Sequence, residues 1–109
     1  MKREFIRTHI FEEDWKDAGF DDDDLSNLEE ILLRNPKAGV VIPYLSGGRK
    51  LRFAADGRGK SGGVRVIYID IVVRGHIYLL LAYPKNVQTD LTSKQKQLLN
   101  KIIIEIKGG

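Results

Sequence analysis

Apolar residues recur along this chain first at helical and then at strand spacing. Glu4-Phe5-Ile6-Arg7-Thr8 reads as a short strand. From about Ile10 to Ala18, Phe11, Trp15 and Ala18 share one face at four- and three-residue spacing, which predicts a helix capped by Gly19. Asp21 is placed to N-cap a second helix, whose first turn is crowded with carboxylates that the helix dipole favours. Leu25, Leu28, Ile31 and Leu32 keep the helical period until Asn35-Pro36 stops it.

From Gly39 the pattern turns to strands and turns. Arg49 to Ala55 alternates, with Leu51 and Phe53 pointing one way and Lys50 and Arg52 the other. A glycine-rich loop, Asp56 to Gly63, precedes two strongly apolar strands, Val64 to Val73 and His76 to Tyr83, joined by Arg74-Gly75 as a tight hairpin and closed by Pro84. Thr92-Ser93-Lys94-Gln95 has capping-box form, and Leu98, Leu99, Ile102, Ile103 and Ile106 give the last helix its apolar stripe. The expected order is β-α-α-β-β-β-α, an α+β fold. With 109 residues, a single domain over 1–109 is the expectation.

Composition narrows the chemistry. Cysteine is absent, which excludes disulfides, thiolate zinc sites and cysteine nucleophiles, and His9 and His76 alone supply metal chemistry poorly. Neither metal nor cofactor is expected. No apolar run approaches the roughly 18 to 20 residues of a membrane span, and Met1 to Trp15 breaks its apolar residues with charge, unlike a signal peptide. A soluble cytoplasmic protein without membrane contact is the expectation.

The net charge of +3 conceals a segregation. Residues 11–30 hold ten acids against Lys16, and the helix starts explain most of them. The bases gather downstream: Arg49, Lys50, Arg52, Arg58, Lys60 and Arg65 face the single acid Asp56 within 49–65. A basic body of this kind suggests an anionic partner.

Two nucleotide motifs nearly form and fail. Gly57-Arg58-Gly59-Lys60-Ser61-Gly62 has the spacing GxGxxG, and Gly59-Lys60-Ser61 echoes a phosphate loop. Both devices need a following helix, and a strand follows here. What remains is the cation cluster. Lys50 and Arg52 lie about 7 Å apart on one strand face, and hairpin pairing would bring Arg65 beside them, with Lys85 just past the last strand. Such groups suit a run of phosphates. An edge strand guarded by Lys and Arg is the alternative, but it leaves unexplained why Arg65 begins an otherwise apolar strand. RNA carries its own nucleophile, the 2′-hydroxyl. A lysine whose pKa is lowered by neighbouring cations could serve as base, with arginines stabilising the pentacovalent phosphate.

The stretches SGGRKLRFA, GRGKSGGVRVIY and YLLLAYPKN, with the NPKAG turn before them and the DLT start of the terminal helix after them, resemble the RelE superfamily of bacterial toxins, its HigB-like branch most nearly. The resemblance implies a small twisted antiparallel sheet packed against helices. It also implies a ribosome-dependent messenger-RNA endonuclease of a type II toxin–antitoxin module, held inactive by a cognate antitoxin, commonly a HigA-like helix-turn-helix protein. On it, Lys50 and Arg52 match the basic pair of the catalytic strand, Arg65 the arginine engaging the scissile phosphate, and Lys85 lies near the basic position ending the last strand. Arg49, Arg58 and Lys60 fall to RNA contact. The terminal tyrosine that stacks a base in some relatives has no match here, which leaves Tyr83 or Tyr68 for that part. Two other classes stay open: a RelE-fold gyrase poison, which would lack the basic set, and a non-catalytic RNA-binding module.

Overall fold

The computed structural model describes residues 2–54 and 63–108; the glycine-rich loop up to Gly62, with Arg58 and Lys60, lies outside the described residues. Thr8 caps the first helix, α1 (His9–Asp17), through its hydroxyl and the Phe11 N–H, while the preceding strand, β1, spans Glu4–Arg7. Gly19, at φ 83°, ends α1: its N–H meets the Lys16 carbonyl and the Phe20 N–H meets the Trp15 carbonyl. The capping box of α2 (Asp22–Arg34) is complete, with Asp21 and Asp24 each accepting from the other's N–H at 3.0 Å. The buried Asp24 and the acid-rich first turn thus have a local cause.

A five-stranded sheet follows, in the order β1-β5-β4-β3-β2. Its strands beyond β1 are β2 (Val40–Val41), β3 (Arg49–Phe53), β4 (Val64–Ile71) and β5 (His76–Pro84). The pairings from β2 to β5 are antiparallel, as expected. Two features extend that expectation. β1 adds itself parallel to the far edge of β5, with Glu4 opposite His76. The two-residue β2 adds a strand that its short, exposed sequence does not announce. The tight Arg74-Gly75 hairpin is replaced by a 3₁₀ turn, Val72–Arg74, closed by Gly75 at φ 67°. A two-residue type I′ turn needs positive φ at both central residues, and only Gly75 adopts it, so Val72 and Val73 leave the strand and Val73 is 93% exposed.

Each face of the sheet carries its own core. On one, Phe11 and Trp15 of α1, Phe20, and Leu28 and Leu32 of α2 pack on Phe53, Val64, Val66, Tyr68 and Leu79. On the other, Leu99 and Ile103 of α3 (Ser93–Gly108) pack with Leu91, Ile42 and Leu45 on Ile67, Ile69, Leu81 and Tyr83. Thr92 and Gln95 form the expected capping box at the start of α3. A bulge in β5 moves the register from Ile67 opposite Leu81 to Tyr68 opposite Leu79, which places Leu80 and Leu81 together in the α3-side core. Among the described residues, no helix is long and apolar enough to cross a membrane.

Candidate functional site

Register decides which cations meet. Arg52 on β3 is paired with Arg65 on β4, and Arg65 with Tyr83 on β5. One row further along, Lys50 is paired with Ile67, and Ile67 with Leu81. Directly opposed residues share a face, so Lys50, Arg52, Arg65 and Tyr83 all stand on the α3 side of the sheet. The structure thus joins Lys50, Arg52 and Arg65 as the alternation and the hairpin implied. Arg52 is exposed, while Lys50 and Arg65 are half-buried. None of the three side chains has a hydrogen bond or ion pair among the described residues. Two arginines face to face, with no acid paired to either among the described residues, repel one another, which an arriving anion relieves.

Lys85 is exposed in the turn after β5, where its N–H reaches the Gly63 carbonyl at 3.3 Å, two residues before Arg65. It borders the row rather than joining it.

Arg49 is not brought to this face. It alternates with Lys50, stands opposite Tyr68, and donates from Nη1 to the Gly39 carbonyl at 2.8 Å. The Tyr68 phenol works on the same turn: it donates to the Pro36 carbonyl at 2.7 Å and accepts the Gly39 N–H at 2.9 Å. Burial pushes the Tyr68 phenol up from its ordinary pKa, with the Gly39 bond and Arg49 opposing. Gly39 is glycine for space: a Cβ there would come within 2.8 Å of the Tyr68 ring and 2.9 Å of the Lys50 carbonyl oxygen. Arg49, Tyr68 and Gly39 together bind the NPKAG turn to β3 and fix the strand that carries Lys50 and Arg52.

The aromatic side chains sort themselves by burial. Tyr68 is wholly buried on the other face. Tyr83 is 2% exposed, its ring packed within the α3-side core and its phenol oxygen without a hydrogen-bond partner among the described residues. Nη1 of Arg65 is likewise buried and unpartnered among them. Burial raises the Tyr83 phenol pKa, and the neighbouring Asp90 and Tyr44 add to this while Arg65 opposes it. Tyr44 is the aromatic that sequence reasoning passed over. It is 42% exposed beside this group, with the Lys96 ammonium 4.7 Å from its ring centroid. Its loop has no periodicity, so nothing in the sequence pattern points to it. The hollow of about 290 Å³ between α1 and α2, lined by Phe11, Trp15 and Asp21 among others, belongs to the opposite side of the sheet.

No family model matches the sequence. Among solved structures, the chain is similar to the free state of an E. coli RelE toxin variant in which two arginines are replaced by alanine. The TM-score is 0.57 at 13% identity, over 82% of this chain and 90% of that one. The five-stranded sheet and three helices are therefore the RelE fold.

Proposed function

We propose that this chain is the toxin of a type II toxin–antitoxin module, a single RelE-type domain of the HigB-like branch that cleaves messenger RNA on the ribosome. The observation that carries the reading is the row Arg52–Arg65–Tyr83 with Lys50 beside it, a cation face without an ion pair among the described residues, on a RelE fold. A gyrase poison of the same fold would have no use for that row.

The chemistry follows from what these groups can do. The RNA 2′-hydroxyl attacks the adjacent phosphorus while the bond to the 5′-oxygen breaks, leaving a 2′,3′-cyclic phosphate and a 5′-hydroxyl end. Arginine does not give up its proton in proteins, so the base is a lysine, and Lys50 is the one standing on the face with Arg52 and Arg65. Arg65 and Arg52 stabilise the charge gathering on the phosphate oxygens. Lys85 returns a proton to the 5′-oxygen. No metal enters this scheme. The Tyr83 ring is covered, so the exposed ring of Tyr44 is the surface against which a base can rest. The partners of this reading are the translating ribosome with its mRNA and a cognate helix-turn-helix antitoxin of HigA type; its setting is the cytoplasm.

The test is cleavage of mRNA on programmed ribosomes by the purified protein, with end-mapping and a chelator control. Cuts ending in cyclic phosphate, absent when the scissile nucleotide is 2′-deoxy, support the reading. Intact mRNA on fully programmed ribosomes overturns it.

A further inference from the structure

Buried donors without partners are uncommon in folded proteins and mark either strain or a missing ligand. Besides His76 Nδ1, two such buried polar atoms occur among the described residues, on adjacent strands at the same register position: Nη1 of Arg65 and the phenol oxygen of Tyr83. Both stand on the face that carries Arg52 and Lys50. One is a guanidinium, able to meet two oxygens at once; the other is a neutral hydroxyl held in place by a fully packed ring.

We propose that Arg65 and Tyr83 form a two-donor seat for the non-bridging oxygens of one phosphate group, in which Tyr83 acts through its hydroxyl and not by stacking a base. The proposal deepens the nuclease reading and rests on it for the identity of the phosphate as RNA. The surroundings of the phenol suit the role. Burial, Asp90 and Tyr44 hold it protonated and therefore a donor at neutral pH. The Asp90 carboxylate is itself engaged by the Leu91 N–H at 2.7 Å. Charge from Arg65 and geometry from Tyr83 would let the seat select a tetrahedral oxyanion over a halide. Tyr83 is a positioning residue for the phosphate, and Arg65 supplies the charge.

Tyr83→Phe removes one oxygen and leaves the packed ring. Thermal unfolding of wild type and Tyr83→Phe is compared in inorganic phosphate and in chloride of equal ionic strength, alongside RNA cleavage by both. In chloride the variant should melt at or above the wild-type temperature, because the lost hydroxyl has no partner among the described residues. Phosphate should raise the wild-type transition more than that of the variant. Cleavage should fall about ten- to hundredfold, the scale of one hydrogen bond to a charged group, mostly in kcat. Equal phosphate effects on the two proteins, a less stable variant in chloride, or undiminished cleavage by the variant would each overturn the seat. Should the wild type cleave no RNA yet show a Tyr83-dependent phosphate effect, the nuclease reading falls and the seat stands.

Discussion

Arg65 and Tyr83 are directly paired across β4 and β5, and each holds a buried polar atom that has no hydrogen-bond partner among the described residues. A donor left unpaired in the interior costs about 1–3 kcal/mol. The fold tolerates two side by side, on the one face where Arg52 also approaches Arg65. Stability forgone in one place commonly marks function. The cost sits where an oxyanion would remove it.

Arg65→Ala tests the centre of that arrangement. It removes the half-buried guanidinium whose Nη1 lacks a partner among the described residues, so cleavage should fall about 10²–10³-fold, as when one transition-state donor is lost. Expression of the wild type should arrest growth and Arg65→Ala should relieve the arrest. Full toxicity from a folded Arg65→Ala protein would remove Arg65 from the mechanism.

Lys50→Ala and Arg52→Ala separate base from electrostatics. Both residues lie on the cation face, and neither has a hydrogen-bond or ion-pair partner among the described residues, so the fold should survive. Loss of a general base costs about 10²–10⁴-fold. Lys50→Ala should therefore lose rate that an added small primary amine restores in part, whereas the loss in Arg52→Ala should not respond to the amine. A folded Lys50→Ala protein that cleaves at the wild-type rate would move the base to Lys85.

Much of this site is legible in the sequence, and the illegible parts share one cause. Alternation placed Lys50 and Arg52 on one face, and the Leu51 and Phe53 positions fixed the opposite one. The same alternation puts Arg49 with Leu51, and the structure has it there, bonded to the Gly39 carbonyl. Membership in a basic run is thus a weaker guide than parity along the strand. The burial of Tyr83 depends on Leu91 and α3 covering the sheet, and the parallel pairing of β1 with β5 joins opposite parts of the chain. No local pattern encodes either. Val72 and Val73 read as strand because β-branched residues favour it, yet Ile71 already pairs with His76 and leaves them only the turn.

Arg49→Ala should behave unlike its neighbours. It loses the bond to the Gly39 carbonyl and frees the turn that braces β3, so stability should drop by about 1–2 kcal/mol. Its position on the other face predicts that cleavage per folded molecule stays near wild type. Denaturant unfolding with a parallel cleavage assay reads both quantities. A stable but inactive Arg49→Ala would place this guanidinium on the RNA.

The two buried tyrosines give an internal contrast. Tyr68 donates to Pro36 and accepts from Gly39, so Tyr68→Phe should cost about 1–3 kcal/mol by orphaning the turn's polar groups. The phenol lost in Tyr83→Phe has no such bonds among the described residues. Opposite signs of the two stability changes, in the same substitution and the same denaturant series, are the expected outcome.

Asp14 supplies a pH dependence whose sign can be worked out. Its carboxylate lies between α1 and β5, where Oδ2 accepts the Ala82 N–H at 3.1 Å. Burial raises its pKa above 3.8, the Ala82 bond opposes this, and Asp17 and Glu13 add repulsion that raises it further. A carboxyl whose folded pKa is raised binds its proton more tightly in the native state than in the unfolded chain. Between the two values the native state holds more protons, so this group's contribution to stability declines as pH rises through that window. At neutral pH the ionised Asp14 therefore weighs against the fold. Asp14→Asn keeps an oxygen able to accept from Ala82 and removes the charge. Its stability relative to wild type should improve as pH climbs from about 3.8, and the gain should be complete once Asp14 is ionised in the native protein. Thermal unfolding of both proteins from pH 3 to pH 8 measures the difference directly. A difference that shrinks with rising pH would mean the Ala82 N–H outweighs burial and holds the carboxylate charged.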